Sequence, residues 1–95
     1  MQRFLSAAAI AALTLTAVAP FTAQSGDLRI TWIDVEGGAA TLFVSPTGES
    51  LLFDTGNPGN GDRDAKRIFA AAQKAGLTKI DHVVISHWHG DHVGG

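Results

Sequence analysis

The stretch Ser86-His87-Trp88-His89-Gly90-Asp91-His92-Val93-Gly94-Gly95 decides how the rest of this sequence is read. Three of the chain's four histidines and one aspartate fall within six of its positions. The chain has no cysteine, so no thiolate is on offer. Neutral imidazole and carboxylate remain, and a Zn²⁺-type ion accepts both. Alternation along extended backbone points His87 and His89 to the same side, where both can close on one metal. Gly90 lets the chain bend and carries Asp91 and His92 toward a second position. The competing reading is a solvated polar loop. Ligand-type side chains at this spacing, directly after an apolar strand, favour a metal site.

Immediately upstream, Ile80 to Ser86 (IDHVVIS) reads as a strand. Val83-Val84-Ile85 is apolar on consecutive positions, which predicts cover on both faces. The candidate ligands then lie just past the carboxyl end of that strand, where open sheets place their sites. Further back, Ala65, Ile68, Phe69 and Ala72 recur at i, i+3, i+4, i+7 and predict a one-sided helix. Arg63, Lys66, Arg67, Gln73 and Lys74 take its other faces, and the basic ones are expected to be solvated. Gly76 sits where a helix-terminating glycine belongs. Asp62 or Asp64 is positioned to cap the start.

Before the helix, Asp54 to Gly61 (DTGNPGNG) is loop chemistry. Three short β-type runs precede it: Leu28 to Val35, Ala39 to Ser45 and Ser50 to Phe53. Glu36-Gly37-Gly38 and Pro46-Thr47-Gly48-Glu49 supply the turns between them, and such short connections favour an antiparallel meander. A helix feeding a further strand makes the class α/β (α+β) in layers.

At the far end, Met1-Gln2-Arg3 carries one positive charge and Phe4 to Ala19 runs uncharged and apolar. Pro20 and a polar segment follow. This is the pattern of a secretory signal peptide, with residues 1–25 removed and cleavage expected before Gly26; cleavage after Ala19 would leave Pro20 after the cut. The uncharged run is shorter than the ~20 residues of a membrane span. An uncleaved anchor is the lesser alternative. The protein is expected to be secreted or periplasmic, touching membrane only through that signal. Seven basic and nine acidic residues give a net charge of −2, and losing Arg3 makes it one unit more negative. No basic patch suited to a nucleic-acid backbone is present in this segment.

His87-x-His89-x-Asp91-His92 followed by Gly94-Gly95 resembles the metal motif of the metallo-β-lactamase-fold hydrolases. Leu51-Leu52-Phe53-Asp54-Thr55-Gly56 looks like that family's strand-Asp-x-Gly element. The order of hairpin, Asp-Thr-Gly loop, helix, strand and histidine loop is also the family's, over most of residues 28–95. The resemblance implies the N-terminal part of a four-layer αββα sandwich, incomplete here. It implies two divalent metals, zinc for preference, one on His87 and His89 and the other on Asp91 and His92. It also implies a bridging hydroxide that attacks an ester, amide, thioester or phosphodiester. Asp91 would orient or deprotonate that nucleophile. Asp54 would steady the histidine loop from behind, with an Asx turn at Asp54-Thr55-Gly56 as the lesser alternative.

Two ligands per metal fall short of the three a catalytic zinc usually keeps. The family's remaining ligands come later in its sequences. Residues 26–95 are therefore expected to be the first portion of a longer hydrolase, inactive alone. A non-catalytic metal-binding member and an iron-dependent oxidoreductase of the same fold are the alternatives. The substrate, a small molecule or a nucleotide or nucleic acid, is not legible. Asp34-Val35-Glu36-Gly37-Gly38 resembles a segment of the competence-protein subgroup, which leans toward a phosphodiester, although fixing a turn is the plainer role for Asp34 and Glu36. His82, on the strand, is not expected to be a ligand. Trp88 could line a pocket or pack the loop.

Overall fold

The computed structural model describes residues 26–95. The expected signal peptide, residues 1–25, lies outside the described residues. Four strands form one sheet in sequence order: β1 (Arg29–Trp32), β2 (Thr41–Val44), β3 (Ser50–Phe53) and β4 (His82–Val84). The first two pairings are antiparallel, as the short turns require. The third is parallel, because helix α1 (Arg63–Lys74) carries the chain back across the sheet before β4 begins. The class is thus α/β, as expected.

Cross-strand register sorts the side chains into two faces. Leu42 pairs with Leu52 and Val44 with Ser50 on one face, and all four are buried. Ile68 and Ala72 of α1 join Leu42, Val44, Leu52, Val35 and Ala40 in a single core. The opposite face carries Ile30, Trp32, Phe43, Leu51, Phe53 and Val84. Among the described residues nothing covers it, and Trp32 is 77% exposed there.

Several sequence expectations need correction. β1, β2 and β4 are shorter than the runs Leu28–Val35, Ala39–Ser45 and Ile80–Ser86, since only the paired centres of those runs form ladder hydrogen bonds. Val83 and Val84 are exposed rather than covered on both faces, because β4 is an edge strand and α1 packs over β2. Phe69 is exposed for the same reason, leaving Ile68 and Ala72 as the helix's buried apolar residues, with Ala71 partly buried against the same core. Asp62 does occupy the N-cap, but in a left-handed conformation with no side-chain cap bond. Asp64 does not cap either. It is buried and turned toward Asn57. Arg63 and Arg67 are not a free solvated face. Arg63 pairs with Glu36 and Asp64, and Arg67 reaches Asp34 and Glu36. These pairs tie the β1–β2 connection to α1.

An apolar groove of about 350 Å³ lies between α1 and the sheet, lined in part by Leu52, Ile68, Phe69, Ala72, Leu77 and Ile80. None of the four candidate ligands lines it. Among the described residues, no helix is long and apolar enough to cross a membrane.

Candidate metal centre

β4 ends at Val84, and the histidine segment leaves from its carboxyl end. A four-residue helix, α2 (Gly90–Val93), then forms where the sequence suggested only a bend at Gly90. His92 and Val93 donate their amides to the His89 carbonyl, which closes that turn. The turn brings Asp91 and His92 back over His87. One donor atom from each of His87, Asp91 and His92 lies within 4.8 Å of the others. His89 is outside that group. Its ring stands edge-on to His87, with centroids 4.7 Å apart. The His87 ring also neighbours that of His92, with centroids 3.9 Å apart.

The segment is held by three backbone hydrogen bonds to two neighbouring stretches. Ala39 donates to the Asp91 carbonyl at 3.1 Å, Thr55 to the His92 carbonyl at 2.8 Å, and Gly94 to the Gly56 carbonyl at 3.1 Å. Gly56 in turn donates to Ala39, so the β1–β2 connection and the loop after β3 form one cradle. Sequence reading did not mark Ala39 or the Thr55 and Gly56 amides. Backbone donors carry no residue signature.

Asp54 ends β3 in a left-handed conformation, φ 61°, which Asp and Asn adopt more readily than most residues. Its amide is spent on the Val84 carbonyl of the parallel neighbour. Its carboxylate is buried beneath the histidine segment. Oδ1 accepts the Ser86 amide at 2.7 Å; Oδ2 accepts the Ser86 hydroxyl at 2.7 Å and lies 2.7 Å from His92 Nδ1. Burial pushes the Asp54 carboxyl upward, but the hydrogen bonds from His92 and Ser86 together hold it below the ordinary range. It is an anion anchored under the loop, not a simple turn residue.

The other residues singled out are placed as follows. Asp34 and Glu36 face Arg63 and Arg67, and Asp34 Oδ1 accepts the Glu36 amide. His82 lies on β4 with Nε2 2.7 Å from Glu49 Oε1, at an exposed edge. Trp88, between two of the histidines in sequence, is 81% exposed. Sequence reading missed Asn57 and the buried role of Asp64. Asn57 donates its amide to Asp64 at 2.7 Å and its side chain to the Val35 carbonyl at 2.9 Å.

A family model described as the metallo-beta-lactamase superfamily matches residues 33–95, about two-thirds of the chain. The chain belongs to the metallo-β-lactamase superfamily. Among its relatives are a metal-dependent hydrolase of Agrobacterium fabrum, 36% identical over 70% of this chain and 25% of its own length. An atrochrysone carboxyl ACP thioesterase of a Cryptosporiopsis species is 36% identical over 61% of this chain and 17% of its own length. A metal-dependent hydrolase of Cupriavidus metallidurans is 35% identical over 73% of this chain and 21% of its own. The chain thus spans about a quarter or less of the curated relatives it matches. No solved structure matches it. Within the superfamily's fold, the observed sheet and α1 are a part, and the apolar face left bare by β1 to β4 is a face that a sandwich would cover.

Proposed function

We propose that this chain is part of an exported, metal-dependent hydrolase that acts on an ester or thioester. The observation that carries the reading is the convergence of His87, Asp91 and His92 donor atoms within 4.8 Å. Two imidazoles and a carboxylate are a donor set that suits Zn²⁺ and its neighbours. His87, His89, Asp91 and His92 are the residues that would hold two divalent ions, zinc in the first instance. Such ions supply Lewis-acid polarisation of a carbonyl oxygen and a lowered pKa for water.

The chain's own residues do the positioning. Asp54 fixes His92 through Nδ1, so that Nε2 is the nitrogen turned toward Asp91, 3.6 Å away. The amides of Ala39 and Thr55 fix the backbone of Asp91 and His92. Asp91 is partly exposed at the mouth of the group, where its carboxylate can orient a nucleophile or take its proton. Exposed Trp88 offers an aromatic surface beside the site for an apolar acyl group.

Relatives named as hydrolases and thioesterases support hydrolysis over an oxidoreductase or a non-catalytic module, and a carboxylic ester or thioester over a phosphodiester. Export is supported by the composition of residues 1–25.

The test is a panel of thioester, ester, lactam and phosphodiester substrates offered to the whole protein, zinc-loaded and chelated, with Asp91→Asn beside the wild type. Zinc-dependent thioester or ester cleavage, lost in Asp91→Asn, is the expected result. No turnover of any of the four with zinc present would refute it. N-terminal sequencing of the extracytoplasmic protein should begin at Gly26.

A further inference from the structure

The Ser86 hydroxyl stands where three polar groups meet. It donates to Asp54 Oδ2 at 2.7 Å and lies 2.9 Å from His87 Nδ1. A serine hydroxyl has one proton to give and two lone pairs. The proton is committed to the carboxylate. Turning it toward His87 instead would set hydroxyl and carboxylate lone pairs against each other at 2.7 Å. Toward His87 the oxygen can therefore only accept, which requires the proton of a neutral His87 to sit on Nδ1 and leaves Nε2 bare.

We propose that Ser86 is a positioning residue that sets the tautomer of His87, through a chain running from Asp54 to Ser86 to His87. Asp54 then governs two imidazoles at once: His92 directly and His87 through one hydroxyl. Both present Nε2 as a free donor, and both rings are held in orientation. The Ser86 amide bond to Asp54 Oδ1 makes the chain rigid, since one residue is gripped at two atoms by one carboxylate. The Ser86 Oγ to His92 Nδ1 distance of 3.4 Å is longer than the 2.7 Å from Asp54, so His92 belongs to the carboxylate and Ser86 is left for His87.

This inference rests on the metal reading above, and two readouts separate their failures. The first needs no metal. Long-range ¹H–¹⁵N correlation spectra of the chelated whole protein should show His87 as the Nδ1–H tautomer in wild type and in Ser86→Thr. In Ser86→Ala it should revert toward the Nε2–H form favoured in free imidazole side chains. The second is zinc affinity by chelator competition, expected to fall about 10- to 100-fold in Ser86→Ala and to be kept in Ser86→Thr. An Nε2–H His87 in the wild type would overturn the proposal outright. So would unchanged zinc affinity in Ser86→Ala with wild-type binding intact. If the wild type bound no zinc, the metal reading would fail, while the tautomer spectra would still decide the role of Ser86.

Discussion

His92 Nδ1 and Asp54 Oδ2 are 2.7 Å apart although 38 positions separate them in sequence. The parallel pairing of β3 and β4 makes this possible, because both strands end at the same edge of the sheet. Phe53 is opposite Val84, so the residues just past each strand meet there. Asp54 turns left-handed and delivers its carboxylate under the histidine segment.

Replacing Asp54 by Asn keeps its size but removes the anion that Ser86 and His92 share. We expect zinc affinity to fall about 10- to 100-fold, the range for loss of a partner hydrogen-bonded to a ligand. Chelator competition on the whole protein measures it. Unchanged affinity would mean that the carboxylate is only a turn former.

Gly38 and Gly37 are adjacent but predict opposite behaviour. A Cβ at Gly38 would land on the Asp91 carbonyl, which accepts the Ala39 amide. At Gly37, φ 88°, a Cβ meets open space and only the backbone conformation is penalised. Gly38→Ala should destabilise by about 1–3 kcal/mol through overpacking and weaken zinc binding as well. Gly37→Ala should cost about 1–2 kcal/mol and leave zinc affinity intact. Thermal melts and the same competition assay separate the two effects.

Asp64 gives the pH prediction. The hydrogen bond from Arg63, opposed by burial and joined by the Asn57 bonds, lowers its carboxyl from 3.8 to about 2. The folded pKa is below the unfolded one. Its contribution to stability is thus fully present above about pH 4 and is lost as the pH falls toward 2. The drop in Tm between pH 4 and pH 2 should be steeper for wild type than for Asp64→Asn. Parallel curves for the two proteins would show that Asp64 titrates alike folded and unfolded.

Much of this was legible in the sequence, for reasons that differ by element. Ser50–Phe53 was read to its observed bounds because turn residues border it on both sides. The α1 stripe was legible at Ile68 and Ala72, but periodicity could not tell that Phe69 would face outward, since that depends on where the sheet lies. Val83 and Val84 misled because apolar character reports what a strand tolerates, and their cover is not supplied by residues 26–95. At the candidate metal centre, the donor types were plain from side-chain chemistry. Their grouping was not. Alternation pairs His87 with His89, but the α2 turn brings Asp91 and His92 onto His87. Ser86 was invisible as a partner because a serine has no motif of its own. Only its distances to Asp54 and His87 distinguish it.

We propose that His87, His89, Asp91 and His92 belong to a divalent metal centre. Its most direct test is the metal content of the whole protein, by mass spectrometry of the elements after dialysis against zinc and then metal-free buffer. Two zinc ions per protein molecule are expected, with at least one lost in Asp91→Ala and in His92→Ala while both variants remain folded. A wild-type protein that retains no zinc, or variants that retain as much as the wild type, would contradict it.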